Sequence, residues 1–194
     1  GGDSSVAVDA FPAYSPVVAG SSSDLFGVRG DRVIQLVGST EITVAELPET
    51  TTVRGMGLSL TGRRVAVVDD SGTRVSVLDR DDDEPRFEQV LVGSDLLRPM
   101  WDLAGALWVV DRGGASPQVV VQREDRVRVV PVPVRGGLVA AALSRDGTRL
   151  AWVAELPGGR QQLWLSRVVR RGNGMPVRLG PPVLVPTGSP WSGV

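Results

Sequence analysis

The groups available for chemistry in this chain are carboxylates and guanidinium groups. Its 194 residues include no histidine, no cysteine and no lysine, so all 21 basic residues are arginine. Within this chain, nucleophilic catalysis by a Ser–His or Cys–His pair is excluded. Zinc and transition-metal sites built from nitrogen and sulfur fall for the same reason. Disulfides need cysteine and Schiff bases need lysine, so neither forms here. What remains is carboxylate chemistry and metals held by oxygen.

Three groups of acids and arginines stand close enough in sequence to matter. The run Asp79-Arg-Asp-Asp-Asp-Glu84 could hold calcium. It lacks the alternating spacing and distal glutamate of a calcium loop, and it reads instead as a solvated turn. Asp69, Asp102 and Asp111 flank apolar runs, and a pair of such acids about 5–9 Å apart could hydrolyse a glycoside. Acids at strand ends are also ordinary turn formers, and that reading is preferred. Arg123, Arg126, Arg128 and Arg135, with the stretch Arg167-Val-Val-Arg-Arg171, could meet phosphate. A net charge of −1 favours plain surface charge and argues against nucleic acid as a partner. No cofactor or metal ligand set is expected.

The elements that must position these groups come from a repeat. Leu58-Ser-Leu-Thr-Gly62-Arg-Arg-Val65-Ala-Val-Val68 returns as Leu143-Ser-Arg-Asp-Gly147-Thr-Arg-Leu150-Ala-Trp-Val153. Between them lies Trp101-Asp-Leu-Ala-Gly105-Ala-Leu107-Trp-Val-Val110. The turn glycines Gly62, Gly105 and Gly147 are 43 and 42 residues apart, and one further step back reaches Gly20. A period of about 40–45 residues with several short strands per unit marks propeller blades.

Val65–Val68, Leu107–Val110 and Leu150–Val153 read as equivalent strands buried on both faces. Each is preceded by a further strand, over Thr52–Leu60, Arg98–Asp102 and Gly137–Ser144. More alternating runs follow at Arg74–Asp79, Gln118–Arg123 and Gln161–Arg167. Outer strands close each unit at Phe87–Val92, Arg126–Val134 and Val177–Val185, where prolines suit an edge. The expected fold class is therefore all-β: a partial β-propeller of about four four-stranded antiparallel blades, belonging to a larger propeller. Residues 1–15 are read as a lead-in and 16–194 as the propeller segment, with Ser189-Pro-Trp191 opening a fifth unit.

The phrases Leu143-Ser-Arg-Asp-Gly147-Thr-Arg-Leu150-Ala and Trp101-Asp-Leu-Ala-Gly105-Ala-Leu-Trp-Val-Val-Asp-Arg112 resemble the C-terminal propeller domain of the LpqB family of actinobacterial lipoproteins. The first phrase is common to many propellers, whereas the second is more distinctive. The resemblance implies a parent tethered outside the cytoplasmic membrane by a lipid anchor beyond this segment. It also implies a partner, the extracytoplasmic domain of a sensor histidine kinase of the MtrB type, and a role in cell-wall and division signalling. It supplies no catalytic residues.

The expected function is thus protein binding without chemistry, on turns Asp69–Thr73, Arg112–Gln118 and Glu155–Gln161, which should emerge on one face. The candidate contact residues are Asp69, Asp70, Arg112 and Arg160, with Trp101 and Trp164 as apolar neighbours. Two rivals stand beside this reading. One is a propeller glycosidase or lyase using Asp69, Asp102 or Asp111, which requires converging acids. The other is an intracellular scaffold of the WD type, which requires a parent without a lipid anchor.

Overall fold

The computed structural model describes residues 17–19, 25–47, 52–172 and 174–186. The described residues form strands and turns only, in four antiparallel sheets that follow one another along the chain. No helix among them is long and apolar enough to cross a membrane. The first sheet contains β1 (Val17–Ala19), β2 (Leu25–Arg29), β3 (Arg32–Val37) and β4 (Thr40–Glu46). The second contains β5 (Val53–Leu58), β6 (Arg64–Asp69), β7 (Arg74–Asp79) and β8 (Phe87–Val92). The third contains β9 (Met100–Trp101), β10 (Leu107–Asp111), β11 (Gln118–Arg123) and β12 (Arg126–Pro131). The fourth contains β13 (Gly137–Leu143), β14 (Arg149–Glu155), β15 (Gln161–Arg170), β16 (Pro176–Leu179) and β17 (Val183–Leu184). In each sheet the first four strands pair in chain order, which is the meander of a propeller blade, and β17 of the fourth returns to β15.

The three repeated apolar runs occupy the same place, the second strand of their sheets. Val65–Val68 and Leu107–Val110 are buried on both faces, since each lies between two neighbouring sheets. In β14 only Leu150, Trp152 and Ala154 are buried, while Ala151 and Val153 on the other face are half-exposed. The expectation of two buried faces therefore fails for Leu150–Val153, because only its face toward the third sheet is covered. The outer strand expected over Val177–Val185 is also divided. β16 pairs with Val168–Arg170 of β15, and β17 pairs with Trp164 and Leu165. Pro181 and Pro182 lie between the two pieces, where two missing N–H groups interrupt the ladder. The outer strand of the third sheet ends at Pro131 for the same reason, short of Val134. The lead-in 1–15, the turn at Gly20 and the unit opening at Ser189 lie outside the described residues.

The repeated phrase is a turn-building device. Ser59 Oγ accepts the N–H of Arg64 at 2.9 Å and Ser144 Oγ accepts that of Arg149 at 3.0 Å. In the third sheet Asp102 Oδ1 accepts the N–H of Ala106 at 2.9 Å. Each of these side chains fixes the start of the buried second strand. The glycine three residues on has positive φ in all three turns (73°, 75° and 66°), so the position favours a residue without Cβ.

Candidate functional site

The turns Asp69–Thr73, Arg112–Gln118 and Glu155–Gln161 each join the second strand of a sheet to the third. They therefore lie at one end of three successive sheets, beside the connections that lead from sheet to sheet. The contacts show this directly. The N–H of Leu96 donates to the carbonyl of Gly72, and the N–H of Arg112 to that of Asp95.

Several of the predicted contact residues at this end are engaged in building it. Asp69 accepts from the hydroxyls of Ser71 and Thr73 and from the N–H groups of Thr73 and Arg74. Burial pushes its carboxyl up, but these hydrogen bonds outweigh burial and hold it below its ordinary range. Arg112 grips Asp95 with Nε and Nη2, at 2.9 and 3.1 Å, and its Nη1 reaches the carbonyl of Leu138 at 3.2 Å. Arg54 approaches the same carboxylate at 2.8 Å. Asp95 is held below its usual range chiefly by Arg112; burial opposes this, and Arg54 adds to the lowering. One carboxylate and two guanidinium groups thus tie the second, third and fourth sheets together at this end.

Asp70 and Arg160 lie on the same end with exposed side chains that the fold does not use. Trp164 sits in β15, half-buried against the core between the third and fourth sheets, opposite Trp152. Trp101 does not join this face. It is 8% exposed, packs with Ala66 and Leu107 between the second and third sheets, and precedes a turn at the opposite end. The structure thus brings together Asp69, Asp70, Arg112 and Arg160 as parts of one end, places Trp164 beneath it, and separates Trp101 from it.

The acids proposed for a rival catalytic site are each engaged by separate local partners. Asp69 belongs to its own turn. Asp111 accepts the N–H groups of Ser94, Asp95 and Gly113. Asp102 is buried at the other end of the third sheet, where it accepts from Trp108 Nε1 at 3.0 Å and Arg170 Nη2 at 2.8 Å. In the acidic run, Asp79 pairs with Arg63 and Arg64, and Asp81 pairs with Arg63. Burial pushes Asp79 up, yet the bonds from Arg63, Arg64 and the Asp81 N–H bring it down to about 2. Asp146 is likewise lowered to about 2, by hydrogen bonds from Ser144 and Thr148. Among the described residues no three acids are grouped to hold a metal ion.

Sequence reasoning missed Asp95, which organises this end. Its only signal is its position two residues after Gly93, in a connection that resembles a plain turn. It also missed a recurring arginine staple. Arg80 donates to the carbonyl of Gly62 and to Gln35 Oε1, with its guanidinium 5.3 Å from the Phe26 ring centre. Arg170 donates to the carbonyl of Gly147 and to Asp102, 5.3 Å from the ring centre of Trp108. Each arginine caps an aromatic ring on the preceding sheet.

The fold and sequence relate this chain to known proteins. It is 35% identical over 80 residues to Lipoprotein LpqB of Streptomyces coelicolor, covering 40% of this chain and 13% of that protein. Hydrazine synthase of Kuenenia stuttgartiensis superposes with a TM-score of 0.63 and 17% identity, over 85% of this chain and 47% of that one. TolB from Acinetobacter baumannii superposes with a TM-score of 0.60 and 16% identity, over 78% of this chain and 41% of that one. These two likenesses concern the fold alone, and this chain spans less than half the length of either. The family described as the Lipoprotein LpqB beta-propeller domain matches residues 28–191, so the chain belongs to that family.

Proposed function

We propose that this domain is a non-catalytic protein-binding module of a cell-envelope lipoprotein. It is held outside the cytoplasmic membrane through a lipid anchor that lies beyond this segment. Its partner on this reading is the extracytoplasmic domain of a sensor histidine kinase of the MtrB type, and its role is to modulate signalling in cell-wall and division control. The domain itself uses no cofactor and touches neither nucleic acid nor the bilayer.

One observation carries the reading. Three equivalent turns stand side by side at one end, held rigid by the Arg54–Asp95–Arg112 cluster, while Asp70 and Arg160 point outward. A rigid array of polar loops recognises a partner at low ordering cost. The separate engagement of Asp69, Asp102 and Asp111 supports binding over carboxylate catalysis.

The test must spare the residues that build the turns. Asp70→Arg and Arg160→Glu change only outward charges. Binding of the intact lipoprotein to the kinase's extracytoplasmic domain, measured by calorimetry, should weaken at least tenfold in the double variant. Unchanged affinity in a folded variant rejects this face. An absence of binding by the wild type rejects the partner.

A further inference from the structure

Two arginine-bearing segments that are far apart in sequence meet in one cleft at the opposite end of the sheets from the three turns. The β11–β12 turn and the start of β12 contribute Asp125, Arg126, Val127 and Arg128. The β15–β16 turn and the start of β16 contribute Arg171, Met175, Pro176 and Val177. The cleft between them has a volume of about 400 Å³. That lies within the range of small-molecule sites, roughly 300–1,000 Å³.

Strand register explains why the arginines gather. Arg126 pairs with Arg123, and Arg128 pairs with Val121. Directly paired residues share a face of a sheet, and Val121 lies in the core toward the fourth sheet. Arg123, Arg126 and Arg128 are thus on the side that looks at the fourth sheet, along its outer rim. Arg171 comes from that sheet, and Arg123 Nη1 lies 2.9 Å from where a Cβ on Gly174 would stand.

None of these four arginines forms an ion pair among the described residues, in contrast to Arg54, Arg63, Arg64, Arg112 and Arg170. The local acids are Glu124 and Asp125 of the turn, fewer than the cations around them. The chain as a whole is slightly acidic, so this cleft runs against its average. Met175, Pro176 and the half-exposed Val177 line the cleft beside the charges.

We propose that this cleft binds a phosphate ester, with Arg126, Arg128 and Arg171 holding the phosphate oxygens and Met175, Pro176 and Val177 contacting the organic part. Guanidinium groups present planar forks of donors that match phosphate oxygens. Three of them converging from two segments favour a tetrahedral group with several accepting oxygens over a single carboxylate. The apolar wall favours an ester over inorganic phosphate. This proposal is independent of the turns at the other end, and its failure leaves the kinase reading untouched.

The test uses the full chain in 0.15 M salt, where surface charges are screened over about 8 Å. Glycerol 3-phosphate and inorganic phosphate are titrated by calorimetry, and vesicles of phosphatidylglycerol or phosphatidylcholine are tested by co-sedimentation. Two variants of equal charge change are compared: Arg126→Gln with Arg128→Gln, and Arg74→Gln with Arg145→Gln as surface controls. Glycerol 3-phosphate should bind saturably, more tightly than inorganic phosphate, and at least tenfold more weakly to the cleft variant only. Arg171→Gln should weaken it in the same direction. Sedimentation with phosphatidylglycerol that glycerol 3-phosphate competes away supports a lipid headgroup as the source. Binding of glycerol 3-phosphate without sedimentation supports a soluble ester. Equal weakening in cleft and control variants overturns the proposal, as does a folded wild type that binds none of the probes.

Discussion

Asp102 occupies the place where two other units carry serine, and the difference has a cost and a use. Like Ser59 and Ser144 it anchors the second strand through a backbone N–H. Its second oxygen is additionally committed to Trp108 and Arg170. Its side chain is fully buried and that of Arg170 is 21% exposed, so the pair sits largely out of water. Removing one partner of such a pair leaves the other charge uncompensated. Asp102→Ala should therefore destabilise the chain by about 3–5 kcal/mol in denaturant unfolding, whereas Ser144→Ala should cost only about 1–2 kcal/mol, the net value of its two exposed hydrogen bonds. Equal costs would mean that the Arg170 staple contributes nothing. The Trp-Asp form of the repeat was visible in the sequence, but its reason was not. Arg170 lies 68 residues away, and nothing local announces the contact.

At the level of strands, the turn glycines were legible because the positive φ at Gly62, Gly105 and Gly147 favours a residue without Cβ in each repeat. The period, the strand order and the second-strand equivalence all followed from that spacing. The inner strands were less legible, because their glycines serve close approach and not backbone conformation. Gly55 and Gly57 of β5 run against the segment entering β9. A Cβ on Gly57 would stand 2.2 Å from the carbonyl oxygen of Pro99, and one on Gly55 would stand 3.0 Å from Arg98 Cα. Both neighbours are backbone and neither can swing away. Gly57→Ala should therefore separate the second and third sheets locally and cost about 1–3 kcal/mol, as overpacking does. Thermal unfolding would register it, and a neutral result would show that β5 and β9 can slide apart freely. The same crowding explains a substitution in the pattern of aromatic rings. Phe26 and Trp108 face the following sheet from second strands, and the second sheet has Ala66 on that face. There the ring comes from the other side, as Trp101, and among the described residues arginines stack on Phe26 and Trp108 but not on it. Trp101 thus lies apart from the turn face, and the sequence does not announce this, since tryptophan near a strand end looks the same whether it fills a gap or faces a partner.

Across the whole molecule, the core is divided into three clusters, and each joins only adjacent sheets. One joins the first and second through Phe26, Val33, Met56 and Leu78, another the second and third through Val68, Leu96 and Val109. The last joins the third and fourth through Trp108, Val119, Leu150 and Trp152. In such an array stability is approximately a sum of unit and nearest-neighbour terms. Damage to one interface should then loosen the sheets on either side and spare the far end. Phe26 is 1% exposed and lies beneath Arg80, so Phe26→Ala removes a large buried ring, at about 3–5 kcal/mol. Hydrogen exchange read strand by strand should show lost protection in β2, β3 and β6, with β11, β14 and β15 retained. Loss of protection in all strands together would instead make the four sheets one cooperative unit. The outcome also bears on binding, because the Arg54–Asp95–Arg112 cluster bridges the second, third and fourth sheets and leaves the first outside. If protection survives in the third and fourth sheets, their part of the turn face should retain its geometry when the interface of the first two is loosened.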